Sequence, residues 1–211
     1  MIQLKNKFDI DYNKEDFIKM MGQGYVEDWF HYAYNAEFEL ENICLNPYYD
    51  KNGTVMELGC GGGFWTKKYL SPNFNKVYAL DVVPKTFQLP DNVNYIELSD
   101  KDYYCTGIKN NSIDFVWSFG MFCHISLNAC DEYIKNIYDK LKPGGKSVLM
   151  FGNWDKHPHV CNIKVEDKNT MIGSWYYNNK SLTYDILKKY NYKNVVDLIP
   201  DFRDSIFYIE K

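Results

Sequence analysis

Arginine is almost missing from this 211-residue chain: Arg203 is the only one, and lysine supplies the remaining basic side chains. The net charge is -4, and no lysine block stands apart from acidic residues. Nucleic-acid grooves carry a basic footprint, so no nucleic-acid partner is expected. Long hydrophobic runs are lacking too. None approaches the roughly 18 apolar residues of a membrane span, and Met1-Ile2-Gln3-Leu4-Lys5-Asn6-Lys7 has no apolar core of a secretion signal. The expectation is a cytoplasmic protein without a membrane partner. The six cysteines (Cys44, Cys60, Cys105, Cys123, Cys130, Cys161) show neither a C-x-x-C pair nor regular spacing. They read as reduced thiols packing as small apolar residues, and no metal site is expected.

What is present is an alternation of strand and helix patterns. Asn13-Lys14-Glu15-Asp16 opens a short helix to about 21, interrupted by Gly22-Gln23-Gly24. From Tyr25 onward Val26, Trp29, Phe30, Ala33, Ala36, Leu40 and Ile43 recur at helical steps until Asn46-Pro47. Strands are then expected over 54–58, 76–80, 92–98, 112–118 and 146–151, with helices over 64–70, 128–141 and 181–190. Asn128 and Asp131 have capping-box spacing, and Lys142-Pro143-Gly144-Gly145 stops the second of these helices. Two last strands, 194–199 and 205–209, are separated only by Pro200-Asp201-Phe202-Arg203-Asp204. A parallel crossover needs about a dozen residues or more, so this pair must be antiparallel. The predicted fold is α/β: a seven-stranded, mostly parallel sheet with the last strand antiparallel and helices on both faces. One domain over 1–211 is expected, with an N-terminal helical cap (1–50) and a Rossmann-like core (51–211). The stretch 152–180 is long for a plain connection and is a candidate functional loop.

The most informative segment is Val55-Met56-Glu57-Leu58-Gly59-Cys60-Gly61-Gly62-Gly63-Phe64-Trp65. It reads as a buried strand ending in an acidic residue, then a glycine turn, then a helix start. Glycines let the backbone approach a ligand closely, and helix N-terminal amides point at it. The dinucleotide pattern G-x-G-x-x-G fails in both registers, since its last position falls on Phe64 or Thr66. Glu57-x-Gly59-x-Gly61-x-Gly63 instead resembles the first motif of class I S-adenosylmethionine methyltransferases. Asp114-Phe115-Val116-Trp117-Ser118 resembles that family's fourth motif, and Leu141-Lys142-Pro143-Gly144-Gly145 another of its recurrent segments. The resemblance implies S-adenosylmethionine as cofactor and S-adenosylhomocysteine as product.

It also implies roles for particular residues. Glu57, Gly59, Cys60, Gly61 and Gly63 would surround the methionine part, with Glu57 ordering the turn or meeting the ammonium group. Asp81 ends the second strand, where a carboxylate can accept from both ribose hydroxyls, and Val82 would lie against the adenine edge. Asp100 and Lys101 follow the third strand, with Asp100 expected at the adenine amino group and Asp102 nearly as well placed. Ser118 and Phe119 close the fourth strand.

Beyond them His124 is the candidate general base, with a pKa range suited to proton transfer near neutrality. Its competing reading is a structural histidine at a helix start. Tyr25, Trp29 and His31 could cover the cofactor and shape an acceptor pocket, or be helix core. Asn153, Lys156 and His157, with His159, could bind an anionic acceptor, or form a solvated loop. The function this implies is methyl transfer to a small polar acceptor at oxygen: a sugar, nucleotide-sugar or phosphate-type oxygen of surface-glycan synthesis. N-methylation of a small amine and non-catalytic binding of S-adenosylmethionine are the alternatives. A monomer or homodimer is expected.

Overall fold

The computed structural model describes residues 37–82, 84–85, 87–99, 102–157, 171–172 and 175–211. The core is one sheet whose spatial order is β3 (Val93–Glu97), β2 (Phe74–Asp81), β1 (Asp50–Leu58), β4 (Ile113–Ser118), β5 (Leu141–Phe151), β9 (Ser205–Glu210) and β8 (Lys193–Asp197). The first four neighbouring pairs are parallel, while β9 runs antiparallel to both β5 and β8. The reversed final strand is therefore as expected. A two-stranded antiparallel ladder, β6 (Met171–Ile172) with β7 (Trp175–Tyr176), lies within the long stretch after β5.

Period-two alternation sorts the central strands into two cores, as pleating dictates. Met56, Leu58, Val116, Leu149 and Phe207 enter one, together with helix α1 (Leu127–Lys140) through Cys130, Tyr133, Ile134 and Ile137. Leu187 of helix α2 (Lys180–Lys189) joins the same side. Val55, Phe115, Trp117, Val148 and Ile206 enter the other, covered by Leu40, Cys44 and Leu45 and by Trp65, Tyr69 and Leu70. The five described cysteines are all buried, and none of them forms a disulfide among the described residues.

Local differences from the sequence reading have physical causes. The expected cap at Asn128 is displaced: Ser126 caps α1, its hydroxyl accepting from the Ala129 amide at 3.3 Å. Asp131 is drawn away to Lys189 and Tyr190. Asn179, not Ser181, opens α2, accepting from the Leu182 amide at 3.0 Å. Strand β5 starts at Leu141 because 142–145 forms a bulge against β4: Ile113 pairs with Leu141, yet Phe115 pairs with Lys146. The helix over 37–45 turns π-helical across Leu40–Leu45 before the 3-10 turn Asn46–Tyr48. A second π-helical stretch, Thr66–Leu70, follows the glycine turn.

The cap assignment has a direct test in urea unfolding. Ser126→Ala should cost about 1 kcal/mol of stability, the usual worth of an N-cap hydroxyl, whereas Asn128→Ala should change it little.

Candidate functional site at the carboxyl ends of the strands

Ligands in open α/β sheets sit beyond the carboxyl ends of the strands, and the glycine turn lies there, after β1. Gly59, Gly61 and Gly63 adopt φ of 71°, 51° and 79°, a region that side chains disfavour. Crowding adds a second reason at two of them. A Cβ on Gly59 would lie 2.6 Å from the Cβ of Met121, and one on Gly63 would lie 2.7 Å from the Phe87 ring.

The turn is tied to β2 by its own amides. The Gly59 and Cys60 N–H groups both donate to the Leu80 carbonyl, at 2.9 and 3.1 Å, and Gly63 N–H donates to the Cys60 carbonyl at 2.8 Å. Gly61 N–H donates to Asp81 Oδ2 at 2.7 Å, and Val82 N–H to Asp81 Oδ1 at 2.7 Å. The sequence suggested amides aimed at a ligand. In the structure these four turn amides hold the loop in shape, and the exposed turn backbone is left as the approach surface.

Two carboxylates sit under this turn. Asp81 is buried at the end of β2. Glu57 is 1% exposed and accepts from the Thr66 hydroxyl, nine residues ahead on the following helix. Of the two roles considered for Glu57, ordering the turn is the one its contacts serve. Burial pushes the Glu57 carboxyl up to about 8; the Thr66 hydrogen bond pulls against that, and nearby Asp81 adds to it. The Cys60 thiol is also raised, by burial first and then by Asp81 and Glu57. A thiol held protonated is not a nucleophile, so Cys60 contributes backbone.

The other expected cofactor residues divide. Val82 is half-buried against the first core. Asp100 and Lys101 lie outside the described residues, and Asp102 caps its own loop by accepting from Thr106. The Ser118 hydroxyl is fully buried and donates to the Leu58 carbonyl at 2.9 Å. It joins β4 to β1 at the cofactor end of the sheet. Phe119 stacks on Trp117, with ring centroids 6.0 Å apart, and lies 5.4 Å from Trp65 and 6.2 Å from Phe202.

The loop after β4 bridges this turn to the rim beyond β5. Met121 packs on Gly59, the His124 amide bonds the Met121 carbonyl at 2.9 Å, and Cys123 packs against Gly152. His124 itself is 9% exposed. Beyond β5, Lys156 is not available to an acceptor: its ammonium donates to the carbonyls of Pro200 (2.6 Å), Phe202 (2.8 Å) and Asp204 (3.3 Å). It pins the β8–β9 loop. Asn153 is buried, donating its backbone N–H to Asp204 Oδ1 at 3.2 Å and its side-chain amide to Ser205 at 3.0 Å. His157 Nε2 lies 3.3 Å from Asp204 Oδ1. Asp204, Arg203 and Trp175 thus belong to this rim although the sequence reading assigned them no role. Tyr25, Trp29 and His31 lie outside the described residues. At the edge of the described part, Glu37 accepts from Lys68 and Tyr69, which docks the N-terminal helix on the helix of the glycine turn.

Comparison with known proteins agrees with this architecture. A family model described as a methyltransferase domain matches residues 56–149. The tRNA(Thr) (cytosine(32)-N(3))-methyltransferase of Saccharomyces cerevisiae is similar at 26% identity over 117 residues, covering 48% of this chain and 19% of that protein. Among solved structures, the DhpI–SAH complex shares the fold with a TM-score of 0.68 at 16% identity, over 94% of each chain. The 1,6-didemethyltoxoflavin-N1-methyltransferase of Burkholderia thailandensis, solved with S-adenosylhomocysteine, gives a TM-score of 0.57 at 12% identity over 95% of this chain and 91% of that one. Residues 56–149 match a methyltransferase domain, set in the fold of the class I S-adenosylmethionine-dependent methyltransferases.

The residues present fit the methyltransferase cofactor. Each Asp81 oxygen carries two lone pairs, so each can accept a ribose hydroxyl beside the backbone amide it already holds. Gly61, with no side chain, leaves the turn backbone open to close approach. Asp81→Ala should weaken S-adenosylmethionine binding by roughly 1–3 kcal/mol, the cost of removing a charged hydrogen-bond partner, as read by calorimetry. Glu57 yields a second prediction through linkage. Its folded pKa is raised, so the stability it contributes is fully present below the ordinary carboxylate value of 4.5 and is lost as pH rises through about 8. Unfolding free energy of the ligand-free methyltransferase should fall from about pH 5 to about pH 9, and Glu57→Gln should flatten that fall.

Proposed function

We propose that this methyltransferase transfers a methyl group to an oxygen of a small polar acceptor: a sugar, a nucleotide-sugar or a phosphate-type oxygen. The observation that carries this reading is the polar rim of Asn153, His157 and Asp204 beyond β5. The Met121–Cys123 loop joins it to the glycine turn. S-adenosylmethionine supplies a methyl already activated on a sulfonium. The chain has to align the acceptor, exclude water and take a proton where the acceptor is an alcohol. The aromatic group of Trp65, Trp117, Phe119 and Phe202 provides an apolar wall beside the end of β4. His124 and His157 are the two described histidines at this rim, either of which serves the proton transfer. Residues 1–50, with Tyr25, Trp29 and His31, would cap the site. A cytoplasmic monomer or homodimer accommodates these features, and no helix among the described residues is long and apolar enough to cross a membrane.

A second reading has its own support. The similar yeast protein acts on a tRNA cytosine, which points to a nucleic-acid acceptor. The net charge of -4 and the single arginine weigh against it. N-methylation of a small amine keeps the same cofactor half and changes only the acceptor.

The readings separate in one assay of S-adenosylhomocysteine release against sugars, sugar nucleotides, small amines and transcribed tRNA. Turnover with a hydroxyl compound and none with tRNA is expected. Methyl incorporation into tRNA, or turnover with amines alone, would overturn the oxygen-acceptor reading.

A further inference from the structure

Asp204 stands just ahead of β9 at the same rim where β5 ends, since Phe151 pairs with Ser205. Its carboxylate is 1% exposed and is held from several sides. Asn153 N–H reaches Oδ1 at 3.2 Å, while Arg203 reaches Oδ2 through Nε at 2.8 Å and Nη2 at 2.7 Å. The third partner is His157, whose Nε2 lies 3.3 Å from Oδ1. Burial alone would raise the Asp204 carboxyl, but the His157 hydrogen bond and the Arg203 guanidinium outweigh it and hold the group below the usual carboxylate range. An ionised carboxylate only accepts. The proton in this contact is therefore on Nε2, and a neutral His157 carries its lone pair on Nδ1.

The ring is fixed as well as oriented. Trp175 meets it edge to face with centroids 4.5 Å apart, and Arg203 lies 5.1 Å from the other side of the cluster, over the Trp175 ring. His157 retains 14% side-chain exposure, against the almost complete burial of Asp204. A buried acid that sets the tautomer of a partly exposed imidazole is the arrangement of an oriented general base.

We propose that His157 is the general base of this methyltransferase toward a hydroxyl acceptor, with Asp204 as its positioning residue. The proposal rests on the oxygen-acceptor reading above. In the step, the acceptor oxygen bonds the methyl carbon as the carbon–sulfur bond breaks and its electron pair stays on sulfur. The hydroxyl proton passes to Nδ1 of His157 and then to water. Asp204 and Arg203 of the β8–β9 loop are the charged groups of this cluster, and Asp155 and Lys156 lie on the turn of His157 itself.

The test takes the hydroxyl acceptor found in the release assay and follows kcat/KM against pH, with calorimetry of S-adenosylmethionine on each variant. The wild type should lose activity at low pH as the base protonates. His157→Gln should reduce kcat about 10²–10⁴-fold and abolish that limb while cofactor affinity stays unchanged. Asp204→Asn should lower kcat while cofactor affinity stays unchanged. Ring nitrogen shifts in NMR should show the Nε2–H tautomer in the wild type and its loss in Asp204→Asn. Since His157 is partly exposed, its variant carries the test if Asp204→Asn does not fold. Full activity and an intact limb in His157→Gln would overturn the base assignment alone, as would an Nδ1–H tautomer. Absence of turnover with every hydroxyl compound would instead remove the oxygen-acceptor reading, and the base with it.

Discussion

The Asp81 carboxylate is the joint on which the site depends. One oxygen takes the Gly61 amide and the other takes the Val82 amide, so a single side chain at the end of β2 fixes the turn that follows β1. The Leu80 carbonyl, accepting from Gly59 and Cys60, locks the same two strand ends together. A left-handed backbone at three glycines is the cost of this geometry, and it is tolerated because no side chain has to fit there. The carboxylate that shapes the turn is also the one we propose meets the ribose. Structure and binding thus share one group.

Glu57 shows how the supporting layer works. It is buried beneath the turn with Thr66, close enough to Asp81 for each charge to oppose the other. Burial disfavours the ionised form of Glu57, and the nearby Asp81 adds to that effect. The β4–α1 loop then carries this geometry outward, through Met121 on Gly59 and Cys123 against Gly152, to the rim where Asp204 organises a second polar group.

Much of this was legible in the residues because it is local. The glycine turn, Asp81 one helix and one strand later, and the 200–204 link that is too short for a crossover all act through spacing along the chain. The reversed β9 followed from the last of these. What spacing could not show was side-chain choice across long separations. His157 meets Asp204 from 47 residues away, and Lys156 is consumed by carbonyls of that same distant loop. Ser118 lay in the expected place, but its hydroxyl turned to a β1 carbonyl sixty positions back. Ser126 prevailed over Asn128 as a cap because both are capable residues two positions apart, and local sequence does not rank them. The lone Arg203 was visible from composition, yet its meaning needed Asp204 and Trp175 beside it.

The account stands on the glycine turn as the place where the methyl donor is held. A crystal structure of the full chain with S-adenosylhomocysteine tests this most directly. The predicted result is the ribose hydroxyls on Asp81, the ligand lying along the 59–63 turn, and the sulfur facing the rim between the β4–α1 loop and His157. A ligand bound elsewhere on the sheet, with Asp81 making only its two backbone bonds, would contradict it.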